Sequence, residues 1–381
     1  MDNRNLGIST KKRILVIFGT RPEAIKMCPL ILELKRTEKI ECKVCLTGQH
    51  EEMLQQVMEC FDIQEDYNLH IMKTSQTLTS ITSLILEKLS PILIEEKPDI
   101  VLVHGDTTTS FAAALAAFYQ KIPVGHIEAG LRTGDMYSPF PEEMNRCLTG
   151  KIATFHFAPT ELNRDNLLKE NIINNVFVTG NTVIDSFSIT VKENYIFHNE
   201  LLNKIDYEKD RVILVTAHRR ENLGKPLENI CRSIKRIVER FSDVVVIYPV
   251  HLNPKVRETV YNVLQDCHNV YLIDPLDVLD MHNLMAKCYM VMTDSGGLQE
   301  EAPAFGKPVL VMRTETERPE AIEAGTVRLV GREEKDIYNV AVKLLEETQE
   351  YQKMAKAVNP YGDGHASERI KDILMKSELG A

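Results

Sequence analysis

Short runs of β-branched and other apolar residues alternate, along nearly the whole chain, with longer segments whose apolar positions recur at helical spacing. Residues 13–18 read as a strand closed by Gly19. Residues 22–36 read as the helix after it, with Ile25, Met27, Leu30, Ile31 and Leu34 at that spacing. Pro22 suits the first helical turn, where an amide hydrogen would have no helical partner. A strand over 42–46, a helix from about Glu51 and a helix near 78–94 continue the alternation. The apolar runs 99–103 and 122–127 predict short strands of a buried parallel sheet. Strands 155–157 and 176–178 follow, with a helix over 160–169 between them.

Residues 186–209 are polar, charged and weakly patterned, and the domain boundary is expected there. Strands 212–215, 244–248, 270–273, 290–292 and 309–311 then alternate with helices 226–241, 255–264, 281–287, 297–305 and 333–347. A last helix, 366–375, follows the break Asn359-Pro-Tyr-Gly-Asp-Gly364. The expected class is α/β: an N-terminal Rossmann-like domain over 1–185, a second over 186–360, and a closing segment 361–381. Two doubly wound halves imply a ligand cleft between them.

Composition narrows the function. The 381 residues are 44% hydrophobic and 26% charged, enough for two domains of about 150 to 200 residues. A net charge of −10 argues against a broad nucleic-acid surface. The polar start MDNRNLGISTKKR lacks the apolar core of a signal peptide, and no run approaches about 18 uninterrupted apolar residues. The expectation is a soluble cytoplasmic protein without membrane or nucleic-acid partners. Eight cysteines sit in apolar contexts. The close pair Cys42-x-x-Cys45 falls in a strand, where residues three apart point to opposite faces, so reduced core thiols are expected.

Candidate chemistry gathers at strand ends, outside which α/β sheets bind their ligands. Asp106 and Glu128 end the two central strands. The turn Ser138-Pro-Phe-Pro-Glu-Glu143, stiffened by two prolines, holds Glu142 or Glu143, with Arg132 and Arg146 adding positive charge. Three carboxylates and two guanidinium groups point to acid/base chemistry on an anionic substrate. The alternative for Asp106, ahead of Thr107-Thr-Thr109, is capping of the next helix. In the second half Thr293-Asp-Ser-Gly-Gly-Leu-Gln-Glu-Glu301 joins a strand to a helix start and suits a diphosphate, with Glu300 or Glu301 for ribose hydroxyls. His218-Arg-Arg-Glu-Asn222 ends another strand with phosphate-recognition chemistry. Neither Gly-x-Gly-x-x-Gly nor a Walker element occurs, so no NAD or ATP is indicated. His126-Ile-Glu128 lacks the Pro-Cys-x-x-Cys partner of a zinc deaminase, and no metal is expected; His50, His104 and His251 read as core or loop histidines.

Together Gly19-Thr-Arg-Pro-Glu-Ala-Ile-Lys26, His104-Gly-Asp-Thr-Thr-Thr109, His126-Ile-Glu-Ala-Gly-Leu-Arg132, Pro139-Phe-Pro-Glu-Glu-x-Asn-Arg146, Thr216-Ala-His-Arg-Arg-Glu-Asn222, Asp294-Ser-Gly-Gly-x-Gln-Glu-Glu-Ala-Pro303 and Glu317-Arg-Pro-Glu320 resemble the non-hydrolysing UDP-N-acetylglucosamine 2-epimerases. The resemblance runs in order from about Arg13 to Ile373. It implies a GT-B fold whose C-terminal helix crosses back to the first domain. The implied reaction interconverts UDP-GlcNAc and UDP-ManNAc without cofactor, in a homodimer serving bacterial surface-polysaccharide synthesis. By the resemblance Asp106, Glu128 and Glu142 handle protons at C2, and Lys26, Arg146 and His218 stabilise the departing diphosphate or position the sugar. Arg21, Ser295, Gly296, Gly297, Glu301 and Arg318 fall on nucleotide-binding positions. Bacterial members often bind a second UDP-GlcNAc as activator; Gln49 and His251 fit that pattern, while Glu52 and Ser75 stand where Gln and Arg are common. The alternatives are a 2-epimerase for a modified UDP-N-acetyl sugar (uronic acid or deoxy sugar), a GT-B glycosyltransferase, and a non-catalytic sugar-nucleotide sensor.

Overall fold

The structure is a computed structural model and describes residues 11–48, 51–72 and 76–378. The chain divides into two compact units, Met1–Ser186 with Gly362–Ala381, and Phe187–Tyr361.

The first unit runs β1 (Lys12–Phe18), α1 (Arg21–Lys35), β2 (Ile40–Leu46), α2 (Glu51–Cys60), β3 (Tyr67–Asn68), α3 (Leu78–Glu96), β4 (Ile100–His104), α4 (Thr108–Tyr119), β5 (Val124–Ile127), α5 (Glu142–Ile152), β6 (Phe155–Ala158), α6 (Glu161–Lys169) and β7 (Val176–Val178). The strands form one parallel sheet in the order β3-β2-β1-β4-β5-β6-β7. All five positions of β4 are buried, as a strand covered by helices on both faces requires. On one face Leu15, Ile17, Val101 and Val103 meet Ile85, Leu89 and Leu93 of α3 and the alanines 112–114, 116 and 117 of α4. Each Val or Leu so buried contributes roughly 1.5–3 kcal/mol, and the alanines let α4 lie close to the strands.

The helix α7 (Thr182–Thr190) begins in this unit and ends in the next. The second unit then has β8 (Arg211–Thr216), α8 (Lys225–Arg240), β9 (Val244–Pro249), α9 (Pro254–Leu264), β10 (Val270–Ile273), α10 (Val278–Lys287), β11 (Met290–Thr293), α11 (Gly296–Glu301), β12 (Val309–Val311), α12 (Pro319–Glu323), β13 (Val327–Leu329), α13 (Glu334–Glu346) and α14 (Thr348–Ala355). Its parallel sheet has the order β10-β9-β8-β11-β12-β13. In both sheets the strand order reverses once, at β1/β4 and at β8/β11, and such switch points are where loops splay apart and leave room for a ligand.

The last helix, α15 (Ala366–Lys376), belongs to the first unit and packs on α1. Both its ends are held there. Asp185 of α7 accepts the Ala366 and Ser367 amides at 3.2 and 2.6 Å. At the other end Lys12 donates to the carbonyls of Leu374, Met375 and Ser377 at 2.5 to 3.0 Å, which satisfies acceptors the helix itself cannot.

Several elements lie outside the sequence pattern: β3, α5, α7, α12, β13 and α14 are short or mostly polar. The single helix expected over 297–305 is instead the six-residue α11 followed by the 3-10 turn Ala302–Phe305. Pro303 has no amide hydrogen for the Gln299 carbonyl, so the α-helical ladder cannot continue. All eight cysteines are free; burial pushes the Cys45 and Cys231 thiols up to about 12, which leaves them unreactive. Among the described residues no helix is long and apolar enough to cross a membrane.

Candidate active site

In the first unit, polar side chains converge on the carboxyl ends of β1, β4 and β5. Glu128 follows β5 directly and takes a left-handed backbone, φ 62°, a conformation costing a non-glycine residue roughly 1–2 kcal/mol. Its Oε1 is ion-paired with Lys26 of α1 and accepts a hydrogen bond from Asn181 Nδ2 at 3.1 Å. Its Oε2 lies 3.8 Å from His104 Nε2. Burial, helped by Lys26 and opposed by Glu128, lowers the His104 pKa to about 4, so the ring is neutral near pH 7.

Asp106 follows β4. Its Oδ2 accepts from Arg146 Nη2 at 2.5 Å, while Arg146 Nη1 donates to Glu143 Oε2 at 3.1 Å. Glu143 also accepts the amides of Thr133 and Gly134, both at 3.0 Å. Burial raises the Asp106 pKa, Arg146 opposes the rise, and the charges of Glu128 and Glu142 add to it. The Asp106 side chain nonetheless remains 27% exposed, open enough for a ligand to reach.

The capping alternative for Asp106 does not hold, because Thr107 caps α4 by accepting the Ser110 amide. Of the two glutamates in the Pro-x-Pro turn, Glu143 is buried and occupied by Arg146 and the 133–134 loop, while Glu142 is half-buried at the first position of α5. Arg132 does not join the cluster. It is turned to Glu170 at 2.6 and 3.0 Å, so one guanidinium, that of Arg146, serves these carboxylates. Lys26 and Arg146, expected to stabilise the departing diphosphate or position the sugar, are ion-paired with Glu128 and Asp106. Arg21, also expected on the nucleotide, is half-buried at the start of α1.

Two organising residues were not anticipated. Glu23, fully enclosed, accepts from the amides of Gly19 and Thr20 and from the hydroxyls of Thr107 and Ser110, tying the start of α1 to that of α4. The Thr20-x-x-Glu23 spacing of a capping box is its signal in the sequence. Asn181 is the other.

In the second unit the polar groups follow β8 and β11. Asp294, wholly buried, accepts the amides of His218 and Arg219 at 2.8 Å and the side chain of Asn222 at 3.0 Å, which folds the His218–Asn222 loop onto the sheet edge. The exposed His218 ring stacks on His251, centroids 4.9 Å apart. Burial lowers the His218 pKa, Asp294 opposes this, and His251 and Arg219 reinforce it. Beyond β11, Ser295 leads into Gly296 and Gly297. A Cβ on Gly296 would stand 2.6 Å from Arg318 Nη1 and one on Gly297 3.0 Å from Glu301 Oε1, so the glycines admit both side chains. Glu300 is buried and bonded to Arg318 at 2.5 Å, whereas Glu301 lies 3.8 Å from His282. Glu317 is acidified to about 2: burial would raise it, but the bonds and charge of Arg313 and the charge of Arg318 outweigh that. Gln49 and Ser75 lie outside the described residues, as does His50.

Among the described residues the one His/carboxylate group with metal-like spacing is His198, Asp277 and Asp280. Asp280 already accepts from Tyr195 Oη and the amides of His198 and Asn199, and Asp277 caps α10.

Two parallel-sheet units, each with its polar residues at the sheet's switch point, place the protein among α/β enzymes of GT-B architecture. The chain belongs to the UDP-N-acetylglucosamine 2-epimerase family, whose model matches residues 32–375. It is 56% identical over 366 residues to the UDP-N-acetylglucosamine 2-epimerase of Bacillus subtilis, covering 96% of this chain and 95% of the relative. The Escherichia coli enzyme is 53% identical over 375 residues, covering 96% and 99%. The crystal structure of the Neisseria meningitidis UDP-GlcNAc 2-epimerase bound to UDP-GlcNAc superposes with a TM-score of 0.88 at 51% identity, covering 96% of this chain and 100% of that one.

Proposed function

We propose that the protein interconverts UDP-N-acetylglucosamine and UDP-N-acetylmannosamine. The observation that carries the reading is the pairing of Asp106 and Glu128 at adjacent strand ends, close enough that the Glu128 charge raises the Asp106 pKa, with Glu142 adding its field. Sugar transfer to an acceptor does not call for such a set; proton exchange at a carbon does.

The C2 proton of the sugar has no carbonyl beside it, so its removal is coupled to loss of UDP. As a carboxylate takes the proton, the C2–H electrons form a C1=C2 double bond and the C1–O bond breaks toward the diphosphate, leaving UDP and 2-acetamidoglucal. UDP oxygen then rebonds to C1 while C2 receives a proton on its opposite face, and two ionisable groups are needed. Glu128, beside the Lys26 charge, is suited to accept a proton. Asp106, whose pKa is raised by burial and its acidic neighbours, is suited to deliver one, and Glu142 completes the relay. Lys26 and Arg146 hold these carboxylates and add positive potential for the leaving diphosphate. His218, neutral, donates to the diphosphate; Arg21, Ser295, Gly296, Gly297 and Arg318 bind it, and Glu301 accepts from the ribose. In this reading the first unit is the catalytic-carboxylate domain and the second the nucleotide domain. The enzyme works as a cytoplasmic homodimer supplying N-acetylmannosamine for surface polysaccharide, and His251 belongs to an activator site.

The test is NMR of the protein with UDP-GlcNAc in D2O. Deuterium entering C2 together with a UDP-ManNAc signal is expected. An unchanged C2 proton and no new sugar nucleotide would overturn the reading.

A further inference from the structure

Asn181, in the Gly180-Asn-Thr turn between β7 and α7, is 3% exposed and uses both ends of its amide. Oδ1 accepts the Val183 amide at 3.1 Å, as an N-cap does for the first turn of a helix. That fixes the orientation of the group, because a backbone N–H can only be met by the amide oxygen. Nδ2 is thereby turned the other way, to Glu128 Oε1 at 3.1 Å. The turn is backed by the returning chain. A Cβ on Gly362 (φ 122°) would lie 3.2 Å from Gly180 Cα and 3.6 Å from the Asn181 nitrogen, and Asp185, one turn along α7, holds the start of α15.

We propose that Asn181 is a positioning residue for the epimerisation, a rigid donor that aims the Glu128 carboxylate and favours its ionised form; the inference rests on the reading of Glu128 as a proton-handling group. Lys26 supplies charge from a flexible stem, and charge alone does not set direction. Asn181 supplies direction, since a capped, enclosed amide cannot follow the carboxylate if it swings. Also facing Glu128, among the described residues, are Lys26 from α1, His104 from β4, and Asp106 beyond β4 with its partner Arg146 from α5.

Asp caps a helix as well as Asn does, so N181D preserves α7 while replacing the donor by a negative acceptor against Glu128. The expected result is a folded enzyme whose thermal midpoint is lowered by the buried like charge, KM for UDP-GlcNAc changed by less than about 3-fold, and C2 deuterium exchange slowed on the order of 100-fold. The acid limb of the kcat profile moves to higher pH. N181S, which keeps the cap and is too short to reach Glu128, slows exchange about 10-fold without that added charge effect, and carries the test should N181D not fold. Exchange at the parental rate with an unmoved pH profile in either variant would overturn the proposal. Glu128→Gln is measured alongside. If it still exchanges at the parental rate, the reading of Glu128 falls and the Asn181 proposal with it; if it is inactive while N181D is unaffected, only Asn181 loses its role.

Discussion

Arg146 bonds Asp106 at 2.5 Å through one terminal nitrogen while the other holds Glu143, the acceptor of the 133–134 amides, at 3.1 Å, so one guanidinium links that loop's anchor to a candidate acid/base group. Because Arg146 opposes the rise in the Asp106 pKa, Arg146→Met raises it further. The limb of the kcat profile that reports the ionisation of Asp106, the proton donor in this reading, is expected to move to higher pH. Two carboxylates lose their partner, and stability falls by about 3 kcal/mol in urea titration. An unshifted profile would show that Asp106 does not titrate in turnover.

Adjacent Glu142 and Glu143 separate chemistry from structure. Glu143→Ala removes the acceptor for Arg146 and for two amides, and is expected to cost about 2–5 kcal/mol. Glu142→Gln, at a half-buried helix start, is expected to leave stability within about 0.5 kcal/mol. It should slow C2 exchange by about 100-fold or more. Parallel urea titrations and NMR exchange on the two variants check the contrast.

Gly296→Ala drives a methyl group into the Arg318 guanidinium. Displacing Arg318 strains its bond to buried Glu300, which costs stability, and on the proposed reading the nucleotide also loses a charged contact. UDP binding measured by calorimetry should weaken by about 1–3 kcal/mol, roughly 5- to 150-fold, and the thermal midpoint should fall because the Glu300 pairing is disturbed. Unaltered UDP affinity would remove Arg318 from the nucleotide site.

Three enclosed histidines set an acid limit on stability. Burial lowers His104 and His156 from 6.5 to about 4 and His126 to about 3. Between these values and 6.5 the unfolded chain binds protons that the folded one refuses, so stability is complete above about 6.5 and is lost as pH falls toward 4. Urea midpoints should fall steeply across that window, and less steeply in His156→Asn. Equal midpoints at pH 7 and 4.5 would contradict the neutral state of these rings.

Much of the architecture is legible along the chain because parallel strands buried on both faces read as near-continuous apolar runs, as β4 as far as Val103 and β9 do. Strand ends mark themselves where that run stops, which is why Asp106, Glu128, His218 and Ser295 stand out. Short elements such as β13 and polar ones such as α5 carry no such signature, being held by neighbours rather than by their own pattern.

The sequence by itself determined the alternating elements, the two sheets and the polar residues at their carboxyl ends, since these follow from local periodicity and from motifs. Tertiary structure alone decided which polar group meets which. It turned Arg132 to Glu170 and away from the carboxylates, gave the α4 cap to Thr107, occupied Glu143 while leaving Glu142 at the helix start, and brought Asn181, from beyond the edge strand β7, to Glu128. A side chain's partner is set by distance in space, and residues 53 apart in the chain leave no periodic trace of having met.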